Sequence, residues 1–272
     1  MNTAAQRRDT ADTADTGSDD DTGSIGDDSD AATTTFPVGE RRTELLECVI
    51  EDGGCDMIAT PNAEGQILVP GPGYWAHDGL DHAGETICIP AGEYSHMNFH
   101  GLKGTEEQPI TITNCGAGQV VVDAEGKYPA LTSNKGRYLH FTGTGDPDTH
   151  FGFLTKNPGT GLAVIDMKEG TSDIEIDHFE VTGTAYSGIA IRTYPYCDAD
   201  IGRESFSQHN TVLHHNYVHD IDGEGFYIGP SHYHLEYSPT TTDACSPGCR
   251  AAFHLRFFGC DSRGERAIDS SR

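Results

Sequence analysis

The sequence predicts an all-β solenoid, a coil of short strands wound into a β-helix, and three observations predict it. Three hexapeptides, GLAVID at 161–166, GIAIRT at 188–193 and GFYIGP at 225–230, each open on glycine and carry apolar residues at their second and fourth positions. Each accompanies a second recurring segment: RYLHFT at 137–142, DIEIDH at 173–178 and NTVLHH at 210–215. The glycines are 27 and then 37 residues apart, and the second segments, aligned Leu139 on Ile174 on Thr211, 35 and then 37. Self-similarity at a period of roughly 20–50 residues marks stacked repeats, and segments of only about 4–6 alternating residues make the repeat a strand rather than a helix.

Taken in order, the chain begins with a tract that cannot fold. Residues 1–35 hold nine aspartates and two arginines among Thr, Ser, Gly and Ala. With so little to bury, the tract is expected to be a disordered acidic linker. Its run Asp19–Asp21 fits neither an EF-hand loop nor a glycine-rich nonapeptide. Residues 36–85 form an expected N-terminal capping region. Within it, ELLECVI at 44–50 is predicted as a short helix over the open end of the coil, where it would cover unpaired strand backbone.

Residues 86–238 carry the predicted β-helix, in about four to five coils. It opens with TICIPAGEY at 86–94 and continues through MNFHG at 97–101, PITITN at 109–114 and QVVVD at 119–123. At an offset of 37, residues 173–193 align with 210–230: Ile176 meets Leu213, Val181 meets Val218, Gly188 meets Gly225 and Ile191 meets Ile228. Buried-type residues recur because each coil must bury its inward face against the next. The insertion between these coils, 192–210, contains Pro195 and Cys197 and maps to a loop on one face. After Tyr233 the repeat stops. Residues 239–272 are expected as an irregular tail, truncated or out of its ancestral frame, with a genuine capping tail as the alternative. Its last part sets five arginines against Asp261, Glu265 and Asp269. Cys245, Cys249, His254 and Cys260 have weak zinc spacing, and disulfide or incidental cysteines fit better.

The composition excludes some functions. A net charge of −26, of which residues 1–35 supply −7, disfavours a nucleic-acid partner by repulsion of phosphates. An anionic polymer would need bridging cations such as Ca²⁺, which takes oxygen ligands. Eight cysteines in a loop-rich chain predict disulfides and therefore an exported protein. Cys48 and Cys55 are near enough to close a small loop, and Cys88 and Cys115 are candidates to pair within one coil. Residues 1–10 carry no apolar signal core, so the export signal is expected upstream of Met1. No stretch is long and apolar enough to span a membrane.

Side chains alternate across a strand, so the repeats assign faces. In the glycine-led strands Leu162, Ile189 and Phe226 are expected to stack inward, as are Val164, Ile191 and Ile228. Outward columns are then Ala163/Ala190/Tyr227 and Ile165/Arg192/Gly229. In the other strand Leu139/Ile174/Thr211 and Phe141/Ile176/Leu213 point inward, leaving His140/Glu175/Val212 and Thr142/Asp177/His214 outward. Neighbouring coils lie about 4.8 Å apart, close enough for a column to share a ligand. His178 and His215 occupy equivalent positions, which favours a structural role in the turn; His232 and His234 sit at the end of the repeat. No Ser/His/Asp order or paired-carboxylate spacing points to a hydrolase.

The pattern over about residues 86–233 resembles the right-handed parallel β-helix family, the fold of pectate lyases and of many secreted polysaccharide-binding proteins. Asn216 looks like that family's asparagine-bearing turn, with Phe179 in its place one coil earlier. The resemblance implies a substrate groove on the outward face of one sheet. It would make Arg192 the base with Tyr227 at the sugar, and Asp220, Asp222 and Glu224 the Ca²⁺ ligands. His140, Glu175, Asp177, His214 and His219 would contact substrate. The expectation is an exported, monomeric β-helix that binds or modifies an extracellular polysaccharide, if enzymatic by β-elimination from a uronate polymer. Against each assignment stands a plainer one: Arg192 paired with a surface carboxylate, and the 219–224 aspartates as ordinary turn residues. The rival function is a non-catalytic adhesin or carbohydrate-binding scaffold.

Overall fold

In the computed structural model, residues 41–50, 54–70, 80–194, 201 and 206–229 are described, together with the backbone of 255–257. Among them are strands and turns and no helix. The strands form three faces. The first face holds β1 (Met57–Ile58), the first half of β4 (Thr86–Tyr94), the first half of β7 (Ile110–Asp123), β9 (Arg137–Thr142), β12 (Ser172–Asp177), β15 (Thr211–His214) and β18 (Leu255–Phe257). The second holds the later halves of β4 and β7, then β10 (Phe153–Lys156), β13 (Phe179–Gly183) and β16 (Tyr217–Ile221). The third is β2 (Gln66–Val69), β5 (His96–His100), β8 (Leu131–Asn134), β11 (Ala163–Lys168), β14 (Ser187–Ile191) and β17 (Glu224–Ile228). A short pair, β3 (Leu80–Asp81) and β6 (Leu102–Lys103), joins the first face beside β9.

All pairings are parallel, each strand lying on its counterpart one coil away. The expected parallel β-helix is therefore the fold, with five complete coils running from β4 to β17. β4 and β7 turn a corner without leaving the ladder, and the register shift at Pro90–Gly92 marks the bend.

The inward columns build one continuous core. On the first face Ile87, Ile112, Phe141, Ile176 and Leu213 stack in register. On the third, Ile67, Met97, Leu131, Ile165 and Ile189 do so. On the second face Phe153 and Phe179 lie ring on ring, centroids 4.4 Å apart and planes within 4°. Stacking like residues in one column lets each coil bury its apolar surface only against its neighbours, at roughly 25 cal/mol per Å² of apolar surface removed from water. Non-glycine residues hold left-handed backbone at matching places: Tyr138 and Asp173 at the second positions of β9 and β12, Asn210 just before β15, and His178 and His215 just after the first face. Asp and Asn tolerate this region better than most side chains, and Asn210 Nδ2 donates to Asp173 Oδ1 at 2.9 Å.

Several expectations are corrected. The segment at 44–50 is not a helix. Seven residues cannot offset the cost of helix nucleation unaided, and here the backbone is committed elsewhere: Leu46 N–H donates to Gly145 O, and Gly116 N–H donates to Leu46 O. Leu46 is buried in a small satellite cluster with Cys55, Cys88 and Cys115. Among the described residues the disulfides are Cys48–Cys115 and Cys55–Cys88, not the sequence-local pairs. They fasten 41–50 and 54–59 to the flank of β4 and β7. The parallel sheets begin at Met57, so part of the presumed cap is the first coil. The ladder also continues past Tyr233, because β18 pairs with β15.

The glycine-led alignment is corrected too. Ala163 pairs with Ser187 and Ile165 with Ile189, so Val164 and not Gly161 stands beside Gly188. Ile165 and Met167 point into the core, and Leu162 precedes the strand. Asp166 takes the outward place beside Ala190 and Tyr227. Phe226, expected inside, is 42% exposed. The acidic linker 1–35, Pro195, Cys197, His232, His234, Cys245, Cys249, His254 and Cys260 lie outside the described residues.

Candidate functional site

Two outward patches gather the chemistry, one on the first face and one on the third. On the first face the predicted columns are in register: His140 pairs with Glu175, Thr142 with Asp177, and these with Val212 and His214. Alternation keeps Leu139, Phe141, Ile174 and Ile176 in the core and turns the polar set outward. The set is nevertheless buried: Glu175, Asp177 and His214 are each no more than 4% exposed.

Burial is matched by pairing. His140 Nε2 lies 2.5 Å from Asp177 Oδ2, and His214 Nε2 lies 2.6 Å from Glu175 Oε1. The cross distances, His140 Nε2 to Glu175 Oε1 and His214 Nε2 to Asp177 Oδ2, are both 3.8 Å. Asp177 Oδ1 accepts from Thr142 Oγ1 at 2.7 Å and lies 2.5 Å from His178 Nδ1. His214 Nδ1 and His215 Nδ1 are 2.7 Å apart, and the His178 and His215 rings stack at 5.1 Å. Burial works to push the Asp177 carboxyl up, but bonds from His140 and His178 outweigh it and hold the group below the usual carboxylate range. For His140, burial opposes the charge while Asp177 and Glu175 favour it, and the pKa is raised. Four of the five predicted substrate contacts, His140, Glu175, Asp177 and His214, therefore form one network. The fifth, His219, stands on the second face against Asp220 at 2.8 Å and Glu180 at 3.2 Å.

On the third face Arg192 follows β14. Its guanidinium lies 5.1 Å from the ring centre of Tyr186, 5.4 Å from that of Tyr194 and 5.6 Å from that of Tyr227. Asp166 Oδ1 is 3.5 Å from Arg192 Nη1. Arg192 and Tyr227, proposed together from sequence, are thus neighbours, and Arg192 does pair with a carboxylate. Among the described residues, Arg192 Nε and Nη1, Asp166 Oδ1 and Tyr186 Oη are buried polar atoms without a hydrogen-bond partner. Such atoms are rare in folded proteins; of these four, Arg192 Nη1 and Asp166 Oδ1 face each other as an ion pair, while Arg192 Nε and Tyr186 Oη have no hydrogen bond.

The acidic turn is different. Asp220 is an exposed side chain bonded to His219, and Asp222 and Glu224 are exposed. Among the described residues, two sets of three metal-ligating groups lie within 4.8 Å of one another: Cys55/Cys88/Cys115 and His140/Glu175/Asp177. The first is disulfide-bonded; the turn carboxylates form no such set.

Sequence reasoning missed Asp166 and Tyr194, and it left Tyr186 without a role. The missed signal is the corner at 157–162, two residues longer than its successor, which displaces GLAVID from the strand register.

No protein-family model matches the chain, and neither the curated proteins nor the solved structures compared with it give a match. The class that the fold defines is a disulfide-bonded parallel β-helix. Among the described residues no helix is long and apolar enough to cross a membrane.

Proposed function

We propose that this protein is an exported β-helix that binds an extracellular polysaccharide on the outer side of its third face. The observation that carries the reading is the Tyr186/Tyr194/Tyr227 cluster around Arg192 and Asp166, where Arg192 Nε and Tyr186 Oη lack a hydrogen-bond partner and Arg192 Nη1 meets Asp166 Oδ1 only as an ion pair at 3.5 Å. Sugars present apolar C–H faces that pack on aromatic rings, and hydroxyls that both donate and accept. A cluster offering tyrosine rings, guanidinium donors and a carboxylate acceptor is complementary on all three counts. The flat parallel sheet repeats its rows about every 4.8 Å, a spacing suited to an extended polymer. Two disulfides support an oxidising compartment.

The guanidinium is packed between a carboxylate and aromatic faces, an anchoring arrangement. Binding is therefore placed ahead of β-elimination by Arg192. A glycan array followed by calorimetry on its best polymer tests the reading. Wild type is expected to bind, and Arg192→Ala and Tyr227→Ala to weaken binding at least about tenfold, the equivalent of about 1.4 kcal/mol. Absence of binding to neutral and uronate polymers alike overturns it. Ultraviolet absorbance from an unsaturated product, growing with time, would instead identify a lyase.

A further inference from the structure

We propose that His140, Glu175, Asp177 and His214 form a binding site for a divalent first-row transition ion of the Zn²⁺ type. The site is on a different face from the sugar-binding patch, and the proposal stands or falls separately from it.

His140 Nε2, Asp177 Oδ2, His214 Nε2 and Glu175 Oε1 form a closed ring in which nitrogen and oxygen alternate, with sides of 2.5, 3.8, 2.6 and 3.8 Å. Tetrahedral bonds of about 2.0–2.1 Å put neighbouring ligand atoms roughly 3.3–3.4 Å apart. The observed sides bracket that value, so small side-chain rotations lengthen the short sides and shorten the long ones around a central ion. The four residues come from β9, β12 and β15, adjacent strands of one sheet with fixed register, so the backbone need not move.

The donor chemistry selects the ion. Two imidazole nitrogens and two carboxylate oxygens suit Zn²⁺ and its neighbours, whereas Ca²⁺ takes six to eight oxygens. An outer ring then orients each ligand. Thr142 and His178 occupy Asp177 Oδ1 and leave Oδ2 facing the ring. His215 Nδ1 can accept a hydrogen bond from the His214 Nδ1–H and so leave His214 Nε2 as the ligating nitrogen. Partners of this kind fix tautomer and orientation at metal-bound histidines. The competing account is a metal-free pair of buried His–carboxylate contacts, and the two differ in what the protein takes up.

The test uses the full chain, dialysed against chelator and titrated separately with Zn²⁺, Co²⁺ and Ca²⁺, followed by calorimetry and elemental analysis. The expected result is one Zn²⁺ per chain, a raised thermal midpoint, and visible Co²⁺ absorption of tetrahedral type; excess Ca²⁺ should not displace the ion. Glu175→Gln and His214→Gln should each lower affinity at least tenfold. Thr142→Val, which touches no ligating atom of the ring, should weaken binding less and shift the Co²⁺ spectrum, and it covers the case in which a ligand variant fails to fold. His219→Gln should bind as wild type does. Absence of stoichiometric uptake by the chelated protein, or uptake unchanged in both folded ligand variants, overturns the proposal.

Discussion

Asn216 holds Phe179 of the preceding coil: its Oδ1 accepts from the Phe179 N–H at 3.0 Å while its Nδ2 donates to the Ile176 carbonyl at 2.8 Å. One side chain thereby satisfies a backbone donor and acceptor at the corner where the first face turns into the second. Asn216→Ala leaves both without that partner and is expected to cost about 1–3 kcal/mol. Urea denaturation measures it. A loss under about 0.5 kcal/mol, the range of neutral surface changes, would show that water replaces the amide at no cost.

What was legible in the sequence follows from where the insertions fall. Between the coils of β12–β14 and β15–β17 the offset is 37 on every face: Ile176 with Leu213, Val181 with Val218, Ile189 with Phe226. The extra residues lie between the coils, so one alignment served all three strands. One coil earlier, Leu139 with Ile174 is an offset of 35, Phe153 with Phe179 one of 26, and Ile165 with Ile189 one of 24. There the loop at 143–152 and the longer corner at 157–162 break the period inside the coil, which hid Asp166. The His140/Glu175/Asp177/His214 columns were legible because β9, β12 and β15 alternate cleanly. Their burial was not, since alternation tells which side of a sheet a residue takes and not what lies against it. Disulfide partners were illegible for a related reason: Cys88 and Cys115 are brought near Cys55 and Cys48 by coil stacking, not by sequence distance.

The repeat glycines are therefore not equivalent, and substitution should separate them. A Cβ on Gly188 would come 2.5 Å from Val218 Cγ1 and 2.7 Å from Gly225 O, the latter rigid ladder backbone. A Cβ on Gly225 would meet only Val218 Cγ1 at 3.8 Å, ordinary contact. Gly188→Ala is expected to destabilise by about 1–3 kcal/mol through overpacking, and Gly225→Ala to stay within about 1 kcal/mol of wild type. Equal midpoints in chemical denaturation would show that the coils separate freely at this point.

The disulfides make a second contrast. Cys48–Cys115 closes a separation of 67 residues and Cys55–Cys88 one of 33. If they act mainly on the unfolded chain, removing either costs about 2–4 kcal/mol, with the longer loop at the upper end. The Cys48→Ala/Cys115→Ala and Cys55→Ala/Cys88→Ala double variants should show that order in urea. Reductant added to wild type should lower the midpoint more than either double variant does. An unchanged midpoint in reductant would mean that the packing of Leu46 and its neighbours holds 41–50 and 54–59 in place unaided.

The last prediction concerns pH. Partial burial disfavours charge on His219, but bonds to Asp220 and Glu180 prevail and raise its pKa above its ordinary 6.5. A group whose pKa is higher in the folded protein contributes stability that is full below its unfolded value and is lost as pH rises through the folded one. The His219 contribution should therefore be present below its ordinary pKa of about 6.5 and fade as pH climbs through its raised folded value. The Asp220 partner is 85% exposed, so salt should weaken the contact as well. Thermal midpoints of wild type and His219→Gln, compared across pH 5.5 to 9, check this. The wild-type advantage should shrink toward alkaline pH and in high salt. A difference that is constant across the range would assign the effect to ring stacking on Tyr217, 4.3 Å away, rather than to charge.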